Sequence, residues 1–130
     1  MEVYTILGIV SKSKPYLSLI AARKSAELLA KFVYMAAHAS ELQNLTFADI
    51  LADYQVRNFI NDRHVMDAFH YIRKTGNAAV HGDQEAKPEI ALSVLQNLHY
   101  VAGETAMDLA LITSYPDFDD NIPAWRKSGG

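Results

Sequence analysis

The sequence predicts an all-α fold, a helical bundle of four main helices with additional short helices. The chain has 130 residues, of which 50% are hydrophobic and 21% charged, so one domain can bury a core without disulfides or metal. Apolar residues recur at helical spacing in long segments, and proline or glycine separates these segments. No repeat of 20–50 residues and no low-complexity run interrupts the pattern.

Composition limits the classes of function. The chain has no cysteine, which excludes a disulfide framework, a thiolate metal site and a cysteine nucleophile. No apolar run approaches the ~18–20 residues of a membrane span, and Met1 is followed by an acidic residue rather than by the basic start of a signal peptide. We therefore expect a cytoplasmic protein that makes no membrane contact.

The charges are unevenly distributed along the chain. Residues 1–38 carry five lysines and arginines against two glutamates, a net charge of +3, whereas residues 39–130 carry −6. An acidic whole argues against strong binding of nucleic acid by this chain alone, because clustered positive charge supplies most of that affinity. A local basic patch near the amino end remains compatible with the sequence.

Apolar spacing predicts the first elements. Residues 2–11 match a short amphipathic helix, with a strand as an alternative because the run is rich in β-branched residues and contains Gly8. A long helix is predicted from Pro15 or Tyr16 to Ala39, with Ser13 as its cap. Its buried stripe is expected to comprise Leu17, Ala21, Leu28, Phe32 and Met35, widened by Leu29 and Val33.

The opposite face of this long helix is charged, with Arg23, Lys24, Glu27 and Lys31 along it. Arg23 and Glu27 lie one turn apart and are expected to form a structural pair. Such a pair contributes a few tenths of a kcal/mol if it is exposed. If it is buried, it specifies geometry instead.

Capping residues predict the next boundaries. Thr46 is suited to cap a short helix, with Asp49 three residues later in a variant of the capping box. Residues 56–61 form another short segment, either helical or extended. Asp62 is the expected cap of a central helix that ends at Gly82.

The central helix should bury one stripe, formed by Val65, Phe69, Ile72, Gly76, Ala79 and Val80. Glycine costs roughly 1 kcal/mol relative to alanine inside a helix. The helix therefore bends or ends at Gly76, or a neighbouring helix approaches closely there. We prefer close approach, because the apolar stripe continues past the glycine.

The other side of the central helix carries a line of polar residues within an arc of roughly 80°. Its members are Asp67, His70, Lys74, Asn77 and His81, and Arg73 flanks them. Two interpretations stay open at this point: a solvated helix face, or a functional or interface face.

The last helix is predicted from Lys87 and Pro88 to about Thr113. Its stripe comprises Ile90, Val94, Leu98, Val101, Leu109 and Ile112, and further apolar residues make the helix nearly apolar all round. Such a helix is central or covered on two sides. Residues 116–130 are predicted to be an extended tail or linker, in which Phe118, Ile122 and Trp125 are candidates for docking.

The motifs of common enzyme sites are missing. Neither Gly76 nor Gly82 has the setting of a phosphate-binding loop, and the histidines do not match a recognised metal pattern, so we expect no metal and no cofactor. Metal-independent RNA cleavage would need a histidine together with a cation, such as His81 with Arg73 or Lys74. His81 and Arg73 are eight residues apart, about 12 Å along one helix, so we do not expect a single chain to bring both to one phosphate, whereas a two-fold dimer could do so.

Two stretches resemble a known family. IRKTGNAAVHG, residues 72–82, resembles the signature of a helical domain of unknown function at the amino end of R subunits of many type I restriction endonucleases. AARKSAELLAKFVY, residues 21–34, resembles the Arg-x-x-x-Glu helix of that family, here Arg23 and Glu27. Residues 116–123 are similar to the segment that leads toward the nuclease part, so the resemblance covers most of residues 15–123.

That family is grouped with the HEPN superfamily, whose active members are dimeric, metal-independent ribonucleases. Their motif is an arginine, a polar residue, three further residues and a histidine. Asn77 and His81 match the last two elements, whereas Gly76 replaces the arginine and Arg73 lies one turn too early. The resemblance therefore implies an HEPN-like bundle over residues 1–115 that is not catalytic and uses Asn77 and His81 for contacts between helices.

The function expected from this resemblance is that of an accessory or interaction domain of a restriction protein. DNA, other restriction subunits and a second copy of the chain are its expected partners. The expected contact surface comprises Arg23, Lys24, Lys31, His70 and Lys74, with Arg73 beside the last two. Two alternatives remain: a ribonuclease or toxin dimer that uses His81, Asn77 and Arg73, and a purely structural dimerisation module.

Overall fold

The all-α fold is confirmed. A computed structural model describes residues 15–82 and 87–118, and within these ranges it contains five helices and no strand. The helices are α1 (Pro15–His38), α2 (Phe47–Ala52), α3 (Tyr54–Ile60), α4 (Arg63–His81) and α5 (Pro88–Asp108). The predictions for residues 2–11, the Ser13 cap, Ile122 and Trp125 lie outside the described residues.

Local capping chemistry sets the helix boundaries. Thr46 and Asp49 form the reciprocal capping box of α2, and the Asp62 carboxylate accepts from the backbone N–H groups of His64 and Val65 at the start of α4. Gly82 ends α4 in the left-handed conformation, with φ of 69°. These three predictions are confirmed. Asp53 caps α3, where its carboxylate accepts from the N–H of Val56.

The three long helices pack against one another around a single core. Helix α1 turns Ala22, Ala26 and Ala30 toward the interior, each with no exposed surface. Side chains this small allow neighbouring helices to approach the α1 backbone closely. The short helices add larger groups, and the Phe47 ring meets the Phe69 ring edge-on with 6.4 Å between centroids.

The predicted buried stripe of α1 is largely wrong, although Val33 is buried and Ala21 and Leu29 pack against the core as expected. Leu17, Leu28 and Phe32 are 40%, 57% and 56% exposed. The side that is buried comprises Ser18, Leu19, Ala22, Ala26, Ala30, Val33 and Tyr34. Both sides of α1 are apolar at helical spacing, so the period alone cannot decide which side faces the core. The structure selects the side with the smaller residues.

Two smaller predictions are also wrong. Val80 belongs to the predicted stripe of the central helix but is 59% exposed. Helix α5 ends at Asp108 rather than near Thr113, because Ala110 adopts a positive φ of 60° and the Leu111 N–H bonds back to the Ala106 carbonyl. Ile112 is consequently 39% exposed instead of buried.

The residues after α5 fold back along it. The ring of Tyr115 covers Gly103, where an added Cβ atom would lie 2.5 Å from the ring. Nε2 of His99 lies 2.6 Å from the carbonyl oxygen of Pro116, and the Phe118 ring packs edge-on against the same imidazole. The beginning of the predicted tail therefore packs against α5.

The lengths and apolar character of the helices show whether any of them could cross a membrane. Within residues 15–82 and 87–118, no helix combines the length and apolarity that crossing a bilayer requires.

The Asp53 carboxylate joins two elements, since its Oδ2 lies 2.8 Å from Nε2 of His38 at the end of α1 and also caps α3. Burial raises the pKa of Asp53, but the Val56 N–H and the His38 side chain lower it by more, to below 3.8. The folded chain therefore holds this proton less tightly than the unfolded chain does. The stabilisation is fully present above about pH 4 and is lost as the pH falls through the folded pKa.

We expect Asp53→Asn to flatten the acid limb of the stability curve, since asparagine still caps a helix but does not titrate. Thermal unfolding between about pH 5 and pH 3 measures this effect. Asp67→Asn is the matched control, because Asp67 lies on α4 with its side chain 67% exposed. An equal flattening in both variants would contradict the assignment.

Candidate functional site

The side chain of Arg23 lies across the glycine of the central helix. A Cβ atom added at Gly76 would lie 2.5 Å from Cβ, 2.8 Å from Cδ and 3.0 Å from Cγ of Arg23. These distances are far below van der Waals contact, so only glycine leaves room for the arginine at this crossing of α1 and α4. The close approach preferred from the sequence is present, and a side chain of α1 occupies the space.

The guanidinium of Arg23 is held at three points. Its Nε donates to Oδ1 of Asn77 at 2.7 Å, and its Nη1 donates to Oε1 of Glu27 at 3.3 Å. The guanidinium carbon lies 5.7 Å from the centroid of the Phe47 ring on α2, within cation–π range. The arginine therefore ties three helices together. We call Arg23, Glu27, Phe47, Gly76 and Asn77 the Arg23 cluster.

The cluster is largely shielded from water. The side chains of Arg23 and Glu27 are 21% and 15% exposed, and Oε2 of Glu27 also has Nζ of Lys31 at 3.9 Å. A part-buried hydrogen bond to a charged group contributes roughly 1.5–3 kcal/mol, more than a surface pair does. The pair expected from the Arg-x-x-x-Glu spacing thus lies where it specifies helix geometry.

A second polar group surrounds Arg73. Its Nη2 donates to Nδ1 of His70 at 3.4 Å, and its Nε is buried with no partner among the residues that the structure describes. Burial lowers the pKa of His70, and the charges of Arg73 and Lys74 lower it further, against the opposing effect of Asp67. The His70 ring is therefore neutral at pH 7 and accepts from the guanidinium.

His81 stands apart from both groups. It is the last residue of α4, it is exposed, and it makes no hydrogen bond or ion pair within the described part of the chain. The Oδ1 atom of Asn77, one turn earlier, already accepts from Arg23. Arg73 precedes His81 by eight residues, about 12 Å along the axis, and its Nη2 contacts His70 instead.

The remaining candidate residues face solvent. Lys24 and Lys74 are exposed, and Lys31 is part-exposed beside Glu27. The structure therefore joins Arg23, Glu27, Lys31 and Asn77, and separately His70 with Arg73. It does not bring His81, Asn77 and Arg73 together within one chain.

No metal centre forms among residues 15–82 and 87–118, since no group of three histidine, aspartate or glutamate side chains there is arranged to hold an ion. A groove of about 400 Å³ lies elsewhere, at the junction of α3 and α4. It is lined by Tyr54, Arg57, Asn58, Asn61, Asp62, Arg63 and Met66, none of which belongs to the Arg23 cluster.

The sequence did not reveal the role of Phe47 or the contact between Arg23 and Asn77, which are 54 residues apart. Helical spacing reports neighbours one turn apart and carries no signal for partners on different helices. The sequence feature that indicated a contact here was Gly76. A glycine within an apolar helical stripe has a cost in helix stability, and a close approach by another helix explains it.

Comparisons with known proteins identify no relative of the chain: no family model, no curated protein and no solved structure matches it.

We expect Gly76→Ala to destabilise the fold by about 1–3 kcal/mol, as overpacking does, despite the gain of about 1 kcal/mol in helix propensity. The nearest atom is the Arg23 Cβ, which cannot move without the α1 backbone. Urea unfolding measures the change. His81→Ala on the same helix is the control and should stay within about 0.5 kcal/mol. A stabilised Gly76→Ala would contradict the close approach.

Proposed function

We propose that this chain is a non-catalytic helical accessory domain of a prokaryotic restriction protein, the amino-terminal part of a type I R subunit. It would assist DNA engagement or the assembly of subunits. Helicase and nuclease activities would then belong to other parts of that protein. The observation that carries the proposal is the structural use of Arg23 and Asn77 in one part-buried contact between helices.

The first support is the way in which the two family-like motifs meet. Arg23 and Glu27 belong to one motif, Gly76 and Asn77 belong to the other, and Arg23 bonds to both Glu27 and Asn77. A domain that keeps these residues for packing retains both motifs without needing catalysis. This agrees with the glycine at the position where active ribonucleases of the resembling superfamily have an arginine.

The second support is the dispersal of groups suited to acid–base chemistry. A ribonuclease needs a histidine within hydrogen-bond reach of the ribose hydroxyl and a cation at the same phosphate. His81 lies at the exposed end of α4, and Arg73 contacts His70 about two turns away. These residues do not form a joint site in one chain.

We expect the purified chain to cleave neither single-stranded RNA nor duplex DNA in the presence of EDTA, and His81→Ala to behave identically. Gel analysis of labelled substrates over a range of protein concentrations measures this. RNA cleavage that disappears in His81→Ala would overturn the proposal and favour a ribonuclease dimer.

The restriction origin has a separate test. The open reading frame that encodes this chain, followed downstream, is expected to continue into helicase motifs or to lie beside the other subunit genes of a restriction system. A frame with neither neighbour would remove the restriction origin and leave a stand-alone interaction domain.

A further inference from the structure

The solvent side of α1 carries large apolar residues interspersed with two lysines. We define the outward face of α1 as Leu17, Ala21, Lys24, Leu28, Lys31, Phe32 and Met35, of which Ala21, Lys31 and Met35 are partly buried and Ala21 also packs against the core. At about 100° per residue these side chains lie within an arc of roughly 100°, opposite the buried alanines. Lys24 and Lys31 therefore share the side of Leu17 and Leu28, and the expectation that they lie on the opposite face is wrong. Leu28 and Phe32, one turn apart, are 57% and 56% exposed, and adjacent exposed apolar side chains of this kind are typical of interaction sites.

The spacing along this face is that of a helix-pairing seam. Leu17, Ala21, Lys24, Leu28, Lys31 and Met35 follow one another at steps of 4, 3, 4, 3 and 4, the heptad pattern of two helices that pack at a small crossing angle. The seam is about 27 Å long. A partner that binds along this seam is therefore expected to be a helix, because a loop or an extended strand does not repeat with this period.

The two lysines determine the charge of that occupant. Lys24 and Lys31 repeat at one heptad, about 10.5 Å apart. Lys24 has no ion pair with any described residue, and Lys31 reaches Glu27 only at 3.9 Å. Glu27 is the one acidic residue of α1, and its two oxygens are contacted by Arg23 and Lys31, so neither is left for Lys24.

A second copy of the chain fits this face poorly. Two copies paired through it would place four lysines in one seam, where each Glu27 is already contacted by Arg23 and Lys31 and the two Lys24 side chains have no acid. Unpaired charges in a desolvated seam are costly, and one lysine at a seam position already weakens a coiled coil. A helix that carries carboxylates opposite the lysines removes this cost.

We propose that the outward face of α1 binds an acidic amphipathic helix of a partner protein, with an aliphatic seam and carboxylates one heptad apart. This inference rests on the proposed function, since an interaction domain requires a binding surface, and it names that surface and the chemistry of the partner. The apolar residues that it uses, Leu28 and Phe32, do not belong to the Arg23 cluster.

The test uses a synthetic fluorescein-labelled helical peptide of about three heptads, with leucine at the a and d positions and glutamate at e and g. A second peptide of the same design has lysine in place of glutamate. Fluorescence anisotropy at nanomolar peptide, where the peptide does not pair with itself, measures binding to the full chain. We expect the glutamate peptide to bind at least about tenfold more tightly than the lysine peptide. Added salt should weaken binding of the glutamate peptide, because it screens the attraction between opposite charges.

Variants locate the binding surface. Leu28→Gln and Phe32→Gln should each weaken binding of the glutamate peptide by about tenfold or more, because each removes one apolar side chain that the peptide would bury. Leu92→Gln is the matched control, because Leu92 is 39% exposed on α5, away from this face. It should change binding by less than about twofold. Glutamine and leucine have similar helix propensities, so the helix itself is preserved.

Three results would overturn the proposal. They are equal binding of both peptides, no binding of either, and a chain dimer in sedimentation that Leu28→Gln converts to monomer. The melting temperature of Leu28→Gln shows whether the chain itself covers the face. A drop of several degrees means that it does and overturns the proposal. An unchanged melting temperature supports an open face. Failure here leaves the cleavage result untouched, so the two proposals fail separately.

Discussion

The packing of this bundle depends on one arginine lying over one glycine. Arg23 crosses Gly76 at a distance that no other residue at position 76 permits, and its hydrogen bond to Asn77 fixes the rotation of α1 relative to α4, while its bond to Glu27 within α1 orients the guanidinium. Phe47 supports the guanidinium from α2. A polar contact therefore specifies how apolar helices, which slide easily against one another, are placed. Part-buried charged groups are costly to move once they are satisfied.

The orientation of α1 follows from this contact. When Arg23 points to α4, the line of alanines beside it faces the core, and the larger residues one third of a turn or more away face solvent. The alanine side of α1 allows α4 to approach closely. The contact of the Arg23 side chain with Gly76 also requires this close approach. The exposed Leu28 and Phe32 are thus a consequence of where Arg23 lies, and they provide a surface that the core does not use.

Elements that depend on local chemistry were predictable from the sequence. The capping residues Thr46, Asp62 and Gly82 bond to backbone groups only a few residues away. Their effects can therefore be predicted from the neighbouring sequence. The faces of α1 were not predictable, because both sides have apolar residues at the same period and the choice depends on Arg23 and Asn77, 54 residues apart. The end of α5 was predicted too late for a local reason: Ala110 adopts a positive φ and the Leu111 N–H bonds to the Ala106 carbonyl, but no glycine marks this position in the sequence.

The polar line on the central helix looked like one functional face, but its environment divides it into three parts. Asn77 is fixed by Arg23, His70 is kept neutral beside Arg73, and His81 is exposed at the helix end. Residues that act on one substrate must converge, and these three have different neighbours and different exposure. A surface on which apolar residues and lysines share one seam lies instead on α1. Recognition of another helix therefore follows more directly from this architecture than catalysis does.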